Sequence, residues 1–165
     1  ISGMNRIISD LLTFARPTPL NRAGVELRFL VESCVETVLQ ARSAGPTIST
    51  MLEIAAVTAP VDEVLRRQAL GNLVQNAVEA MPGGGTLAVT MRADKELSII
   101  IGDTGPGIPP EHIKKVFLPF FTTKDAGVGM GLALTHKVVT AHGGRVEVES
   151  SPNAGTKFRV VLPRD

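Results

Sequence analysis

Hydrophobic residues recur at helical spacing in several parts of the chain and at strand-like spacing in others. The helical spacing predicts helices over residues 1–15, 26–44, 61–81 and 132–141, with a short helical pattern at 110–117. Apolar runs rich in β-branched residues predict strands over 47–55, 86–92, 97–101, 145–149 and 157–162. Because helices and strands occur in groups, this order predicts an α+β fold, a two-layer α/β sandwich with one mixed sheet and helices on one face.

The first predicted helix carries an apolar stripe that has too little following sequence to cover it, and prolines at 17 and 19 end its pattern. The stripe favours a helix of an intermolecular bundle, and docking on its own domain is the alternative. We therefore expect two domains: residues 1–18 belong to a dimerisation helix, and residues 19–165 form a separate folded domain.

Composition narrows the class of protein. With 165 residues, of which 44% are hydrophobic, the chain can form one compact core. The net charge is +1 and no run of like charges marks a nucleic-acid surface. No apolar stretch reaches the roughly 20 residues that cross a bilayer, so membrane attachment would come from segments outside this sequence. Cys34, the only cysteine, is expected to be a small buried hydrophobic residue. Because a single thiol cannot form a disulfide within the chain, a cytoplasmic location is favoured.

The third predicted helix combines an apolar face with a polar one that contains Asn72 and Asn76. These two residues are four positions apart, so their side chains share one side of the helix. Asparagine is a poor residue for a helix interior, and a pair of them in line indicates a need for amide chemistry. A solvated outer face explains the same pattern, so periodicity alone leaves both interpretations open.

Two glycine-rich segments suggest a ligand with a flat ring and phosphates. Asp103 follows a buried-type strand and precedes Gly105 and Gly107, so a carboxylate at the strand end could accept a hydrogen bond from an exocyclic amine. An ordinary Asp/Gly turn is the alternative. Further on, Gly127, Gly129 and Gly131 lead directly into the helix that starts near Leu132, with Lys124 just before them. Exposed backbone N–H groups at a helix N-terminus favour a polyphosphate.

These features, in this order, resemble the N, G1, F and G2 boxes of sensor histidine kinases, within the Bergerat-fold ATPase superfamily. The boxes match residues 70–80, 103–107, 117–124 and 127–132, and residues 155–158 match the closing strand signature. The wording is most similar to kinases of the nitrogen-regulation and acetoacetate-sensing type. The resemblance implies a Bergerat-fold catalytic domain that binds Mg²⁺ and ATP and transfers the γ-phosphoryl group to a histidine on a dimerisation domain missing from this sequence.

The resemblance also implies roles for individual residues. Asn76 would bind Mg²⁺, and Asn72 would help to hold the phosphates from one turn earlier. Asp103 would bind the adenine amino group, assisted by Thr156 through water, and Gly105 and Gly107 would border the base. Hydrolysing superfamily members carry a glutamate base where this chain has Asn72, so slow hydrolysis and retention of the phosphoryl group for transfer are expected.

Residues 117–131 would form a mobile lid over the nucleotide. In this comparison Phe120 or Phe121 anchors the lid, although core packing is a serious alternative for the phenylalanines. Lys124 would act with Asn72 in catalysis by reaching the γ-phosphate. The phosphate-facing loop would comprise Gly127, Gly129, Gly131 and Leu132.

The histidines of the chain are His112, His136 and His142, and none lies in an acceptor motif. The chain is therefore expected to bind ATP without phosphorylating itself. The partners implied are its own dimerisation and phosphoacceptor domain, within a homodimeric parent protein, and a response regulator. A hydrolysing ATPase, an anti-sigma-type serine kinase and a nucleotide-binding module without turnover remain as alternatives.

Overall fold

The computed structural model describes residues 8–9, 11–12, 14–15, 19–42, 45–124 and 127–164, without the side chains of 65–67. The strands are β1 Ala23–Glu26, β2 Ile48–Ile54, β3 Thr58–Val61, β4 Gly85–Ala93, β5 Leu97–Asp103, β6 Arg145–Ser150 and β7 Thr156–Leu162. The helices are α1 Leu27–Ala41, a π-helix Leu65–Leu70 that continues into α2 Gly71–Glu79, the short α3 Pro110–Ile113, and α4 Gly131–Ala141.

Five strands form the main sheet in the order β2-β4-β5-β7-β6. β2 and β4 run parallel, whereas the other neighbouring pairs run antiparallel. Along β4, the buried residues Leu87, Val89 and Met91 alternate with half-buried ones, as a strand with one face on the core must. The prediction of an α+β fold with one mixed sheet is confirmed.

The helices cover the inner face of this sheet. Each places apolar side chains at spacings of three and four residues, so that one stripe faces the core. The buried residues are Leu27, Leu30, Val31, Cys34 and Val35 in α1, Leu73, Val74, Ala77 and Val78 in α2, and Ala133, Leu134, Val138 and Val139 in α4. Cys34 is 7% exposed and belongs to this core, as predicted.

The predicted start of the third helix at residue 61 is wrong. Val61 ends β3 and pairs with Ala23 of β1 in a separate two-stranded antiparallel sheet. The Asp62 carboxylate then accepts a hydrogen bond from the Val64 backbone N–H at 2.8 Å, which satisfies a free donor of the first helical turn. Strands of four residues are too short to show alternation, so the sequence did not reveal this sheet.

Two other predicted helices are shorter than expected. The helix predicted over 26–44 ends at Ala41, because Arg42 has an extended backbone with φ −72° and ψ 124°. The pattern at 110–117 forms a helix only over Pro110–Ile113, and turns follow it. Both differences lie at element ends, where hydrophobic periodicity carries the least information.

Part of the predicted N-terminal helix is described. Ile8, Leu11 and Leu12 are helical and are 49%, 37% and 51% exposed, whereas Phe14 packs against the core. The Lys137 ammonium lies 5.1 Å above the Phe14 ring and donates to the Phe14 carbonyl. The predicted stripe residues Ile1 and Met4 and the break at 16–18 lie outside the described residues. In the described part of the chain, no helix is long and apolar enough to cross a membrane.

Candidate functional site

Helix α2 presents its two asparagines to the loop that precedes α4. Both side chains are half-buried, because the opposite side of the helix is anchored in the core. The Asn72 side-chain amide donates to the Gly131 carbonyl at 3.1 Å. The side-chain amide oxygen of Asn76 accepts a hydrogen bond from the Lys124 ammonium at 3.3 Å. The structure therefore brings Asn72, Asn76, Lys124 and Gly131 together, although they lie on separate parts of the chain.

Asp103 ends β5 directly opposite Thr156, the first residue of β7. One of its carboxylate oxygens accepts a hydrogen bond from the Gly105 backbone N–H at 2.8 Å, and the Thr156 backbone N–H also donates to the carboxylate. Burial raises the pKa of Asp103 above its ordinary value despite these two bonds and the positive charge of Lys124. A carboxylate held partly out of water is a strong acceptor for a ligand amine.

Gly105 and Gly107 shape the loop that follows Asp103. A Cβ atom on Gly105 would lie 2.7 Å from the Ala80 carbonyl oxygen at the end of α2. Gly107 has a φ of 77°, and a Cβ atom there would lie 2.0 Å from the Ser151 carbonyl oxygen. The loop thus lies tightly between α2 and the β6–β7 turn. Neither glycine has room for a side chain, and the positive φ of Gly107 also favours glycine.

Replacing Gly107 by alanine is therefore expected to destabilise the domain by roughly 1–3 kcal/mol, through backbone strain and displacement of the β6–β7 turn. Gly83→Ala is the matched control, because a Cβ atom at Gly83 meets nothing within 4 Å and its φ is not positive. Thermal unfolding of the two variants measures the difference. Equal melting temperatures would show that the loop is not packed as described.

The phenylalanines of the predicted lid have different surroundings. Phe121 stacks edge-on against His112 at a centroid distance of 5.3 Å. Phe117 packs against Phe158 of the core at 6.2 Å and against His136 at 5.7 Å. Phe120 is 62% exposed and has a φ of 64°. Of the two anchors considered for the lid, these contacts favour Phe121.

The glycine loop before α4 is folded against the phenylalanine segment. Gly129 has a φ of 72°, and a Cβ atom there would lie 2.5 Å from the backbone of Phe120. A Cβ atom at Gly127 would lie 2.4 Å from the Thr122 hydroxyl oxygen. Leu132 does not join the polar cluster and packs against the core. Met130, the residue before α4, gives the first N–H groups of the helix no side-chain hydrogen bond, and such groups are suited to anions.

One member of the cluster was not predicted as a site residue. Glu79 forms an ion pair with Lys124 and accepts a hydrogen bond from the Gln75 side-chain amide at 2.8 Å. Its position three residues after Asn76 places it on the polar side of α2, but the sequence gives no sign that Lys124 reaches it. The Asn76 amide oxygen and the Glu79 carboxylate thus converge on one positive charge.

This donor set fits a magnesium ion. Magnesium prefers oxygen ligands, keeps several waters and takes only one or two protein ligands. The Lys124 ammonium already contacts the Asn76 oxygen and the Glu79 carboxylate, so the position suits a cation. Lys124 would have to move aside before a metal ion could bind to Asn76.

The chain is similar to known proteins over the range that contains these residues. A family model described as "Histidine kinase-, DNA gyrase B-, and HSP90-like ATPase" matches residues 61–165. That range contains Asn72, Asn76, Asp103, Lys124 and Thr156. The match therefore spans well over half of the chain and all of the site.

Among curated proteins, the chain is 36% identical to the signal transduction histidine-protein kinase AtoS of Escherichia coli K12. It is 33% identical to sporulation kinase A of Bacillus subtilis 168. The alignments cover 99% of this chain in both cases, but only 27% and 28% of those proteins. The chain thus spans little more than a quarter of the length of these relatives.

Among solved structures, the mycobacterial sensor histidine kinase MprB superposes with a TM-score of 0.76 at 29% identity, covering 86% of this chain and 97% of that one. Full-length ShkA in complex with AMPPNP superposes with a TM-score of 0.82 at 28% identity, covering 98% of this chain and 35% of ShkA. Fold, site and sequence profile lead to one assignment: the chain belongs to the family of histidine kinase-, DNA gyrase B- and HSP90-like ATPases.

Proposed function

We propose that this chain is the catalytic domain of a two-component sensor histidine kinase. It binds Mg²⁺-ATP and transfers the γ-phosphoryl group to a histidine on a dimerisation domain outside this sequence. The proposal depends on the position of Asn72, whose side-chain N–H group donates a hydrogen bond to the Gly131 carbonyl at the start of α4. An amide cannot accept a proton from water, so the site favours transfer over hydrolysis.

Each residue of the cluster has a proposed task. Asn76 holds the magnesium ion, and Asn72 helps to hold the phosphates. Asp103 accepts a hydrogen bond from the adenine amino group, with Thr156 assisting through water, and Gly105 and Gly107 border the base. The phosphates face Gly127 and Gly129 of the loop and the N-terminus of α4, which begins with Gly131 and Leu132.

Lys124 is proposed to contact the γ-phosphate, which requires its ammonium group to leave its present partners. It now pairs with Glu79 and Asn76, and the side chains of Lys124 and Glu79 are 44% and 39% exposed. An exposed ion pair of this kind contributes at most about 1 kcal/mol, so a phosphate group can displace Glu79 at little cost. In the transfer, the bond between the γ-phosphorus and the bridging oxygen would break as an imidazole nitrogen bonds to phosphorus. ADP would leave with that oxygen, whose negative charge a nearby positive charge neutralises, and the imidazole would release its proton to solvent.

The transfer assay is the direct test of this function. The chain is mixed with radiolabelled Mg²⁺-ATP and a separate helical dimerisation domain that carries an acceptor histidine. We expect an acid-labile, base-stable phosphoprotein on that domain and little release of free phosphate. The same domain with its acceptor histidine replaced by glutamine should stay unlabelled. An acid-stable label would instead support a serine kinase, and rapid phosphate release would support a hydrolysing ATPase.

The same proposal covers the partners and location of the parent protein. It is expected to be a homodimer joined through the bundle to which residues 1–18 contribute, and to pass its phosphoryl group to a response regulator. The catalytic domain is expected to work in the cytoplasm, with any membrane anchor in segments outside this sequence. The exposed side chains of Ile8, Leu11 and Leu12 support the bundle, because an unpartnered apolar stripe needs a cover.

A further inference from the structure

Ser150, which no sequence motif indicated, occupies a central position behind the proposed base site. It ends β6 and pairs with Thr156, which starts β7. Its hydroxyl oxygen accepts a hydrogen bond from the Ile108 backbone N–H at 2.8 Å, donates to the Gly155 carbonyl at 2.8 Å, and lies 2.9 Å from the Thr156 hydroxyl oxygen. One side chain thus joins the loop after Asp103, the β6–β7 turn and Thr156.

The hydrogen atoms available decide the direction of these bonds. A serine hydroxyl has one hydrogen to donate and two lone pairs to accept with. The Gly155 carbonyl can only accept, so it takes the Ser150 hydrogen, and the Ile108 N–H takes one lone pair. All three partners of Ser150 are satisfied only when the Thr156 hydroxyl donates its own hydrogen to the second lone pair. Thr156, which is 6% exposed, then offers only lone pairs to a ligand.

We propose that Ser150 is a positioning residue that fixes Thr156 as a hydrogen-bond acceptor and thereby makes the base site selective for an amino group over a carbonyl. This inference rests on the proposed ATP site. Asp103, opposite Thr156 in the β5–β7 ladder, is also an acceptor. The water proposed to join Thr156 to the base would donate one hydrogen to Thr156 and the other to Asp103, so it too would offer only lone pairs to the ligand. Acceptors on both sides suit the amino group of adenine, whereas the carbonyl oxygen of hypoxanthine would face lone pairs.

Without the Ser150 hydroxyl, Thr156 could rotate its hydrogen toward that water, which would then have one of its own hydrogens free for the ligand. A carbonyl at position 6 of the purine would then find a donor, and the amino group would lose an ordered acceptor. The loop after Asp103 would keep a second connection to the turn, since the Asn153 backbone N–H donates to the Pro106 carbonyl at 2.7 Å. The loss of Ser150 should therefore change selectivity more than it changes the fold.

The test is calorimetric titration of four chains with ATP and with ITP, whose base is hypoxanthine. For Ser150→Ala, the ratio of the Kd for ITP to the Kd for ATP is expected to fall roughly five- to tenfold, the effect of one hydrogen bond. Ser150→Thr keeps a hydroxyl and should retain the wild-type ratio. Ser151→Ala is the matched control, because Ser151 is an exposed neighbour in the same turn.

A double-mutant cycle isolates the route of the effect. In a Thr156→Val background, Ser150→Ala should leave the ITP-to-ATP ratio unchanged, because the proposed action passes through the Thr156 hydroxyl. A parallel loss of affinity for both nucleotides in Ser150→Ala would mark Ser150 as merely structural and overturn the inference. So would an unchanged ratio. If titration of the wild-type chain with ATP gives no more heat than titration of buffer, the proposed function fails first, and the inference fails with it.

Discussion

Asp103→Asn is expected to lower the affinity for ATP about a hundredfold, the effect of losing a hydrogen bond to a charged acceptor. The asparagine oxygen can still accept from the backbone N–H groups of Gly105 and Thr156, as the Asp103 carboxylate does. Its NH₂ group would then stand where the second carboxylate oxygen was, and it would face the adenine amino group donor to donor. Calorimetric titration with a non-hydrolysable ATP analogue measures the loss.

The same variant should be at least as stable as the wild type in the absence of nucleotide. Because burial raises the pKa of Asp103, the folded state holds this proton more tightly than the unfolded state does. The stability that protonation provides is fully present below the ordinary pKa of 3.8 and is lost as the pH rises through the raised value. At neutral pH the charged carboxylate therefore opposes folding, and the neutral amide removes that cost.

Two measurements check this account of Asp103. The melting temperature of unliganded Asp103→Asn at neutral pH should equal or exceed that of the wild type. In the wild type, affinity for ATP should weaken as the pH falls through the raised pKa, because protonation removes the acceptor. A variant that unfolds at lower temperature and still binds ATP normally would contradict both the electrostatics and the role assigned to Asp103.

Asn76→Ala is expected to weaken binding of Mg²⁺-ATP at least about tenfold, a loss typical for groups that hold a metal ion. Binding of ATP without metal should change much less, because the phosphates would still have the N-terminus of α4 and Lys124. The variant also frees Lys124 from the 3.3 Å hydrogen bond with Asn76. Titrations with and without Mg²⁺, performed on the same preparation, separate the two effects.

Gln40→Ala is the matched control for Asn76→Ala. It removes a helix amide whose only described partner is Glu36 at 2.9 Å, on α1 and away from the cluster. That change should leave binding unaffected under both conditions. If Asn76→Ala weakens ATP equally with and without Mg²⁺, the residue supports the phosphates or the helix and does not hold the metal ion.

Most of the secondary structure could be predicted because its residues repeat with a clear period. Leu73, Val74, Ala77 and Val78 mark one side of α2, and Leu87, Val89 and Met91 mark one face of β4. The short strands β1 and β3 were missed, since four residues carry too little periodicity. The helix predicted over 61–81 includes residues 65–70, but periodicity did not indicate that Leu65–Leu70 is a π-helix. Tertiary pairing, which the local sequence does not encode, stabilises β1 and β3.

The residues of the candidate site were predicted from motifs, whereas the hydrogen bonds and ion pairs among them were not. Asn72, Asn76 and Asp103 stand out because an amide in a helix or a carboxylate at a strand end is unusual without a task. Glu79 and Ser150 are ordinary where they stand, and their meaning comes from partners brought by the fold. Lys124 reaches Glu79 across 45 positions of the chain, and no short motif reports a contact of that range.

One edge of this domain is proposed to bind Mg²⁺-ATP. Calorimetric titration of the wild-type chain with a non-hydrolysable ATP analogue, with and without Mg²⁺, measures this binding. We expect one saturable site per chain, with micromolar affinity that strengthens when Mg²⁺ is added. Absence of binding at millimolar nucleotide in the presence of Mg²⁺ would contradict it.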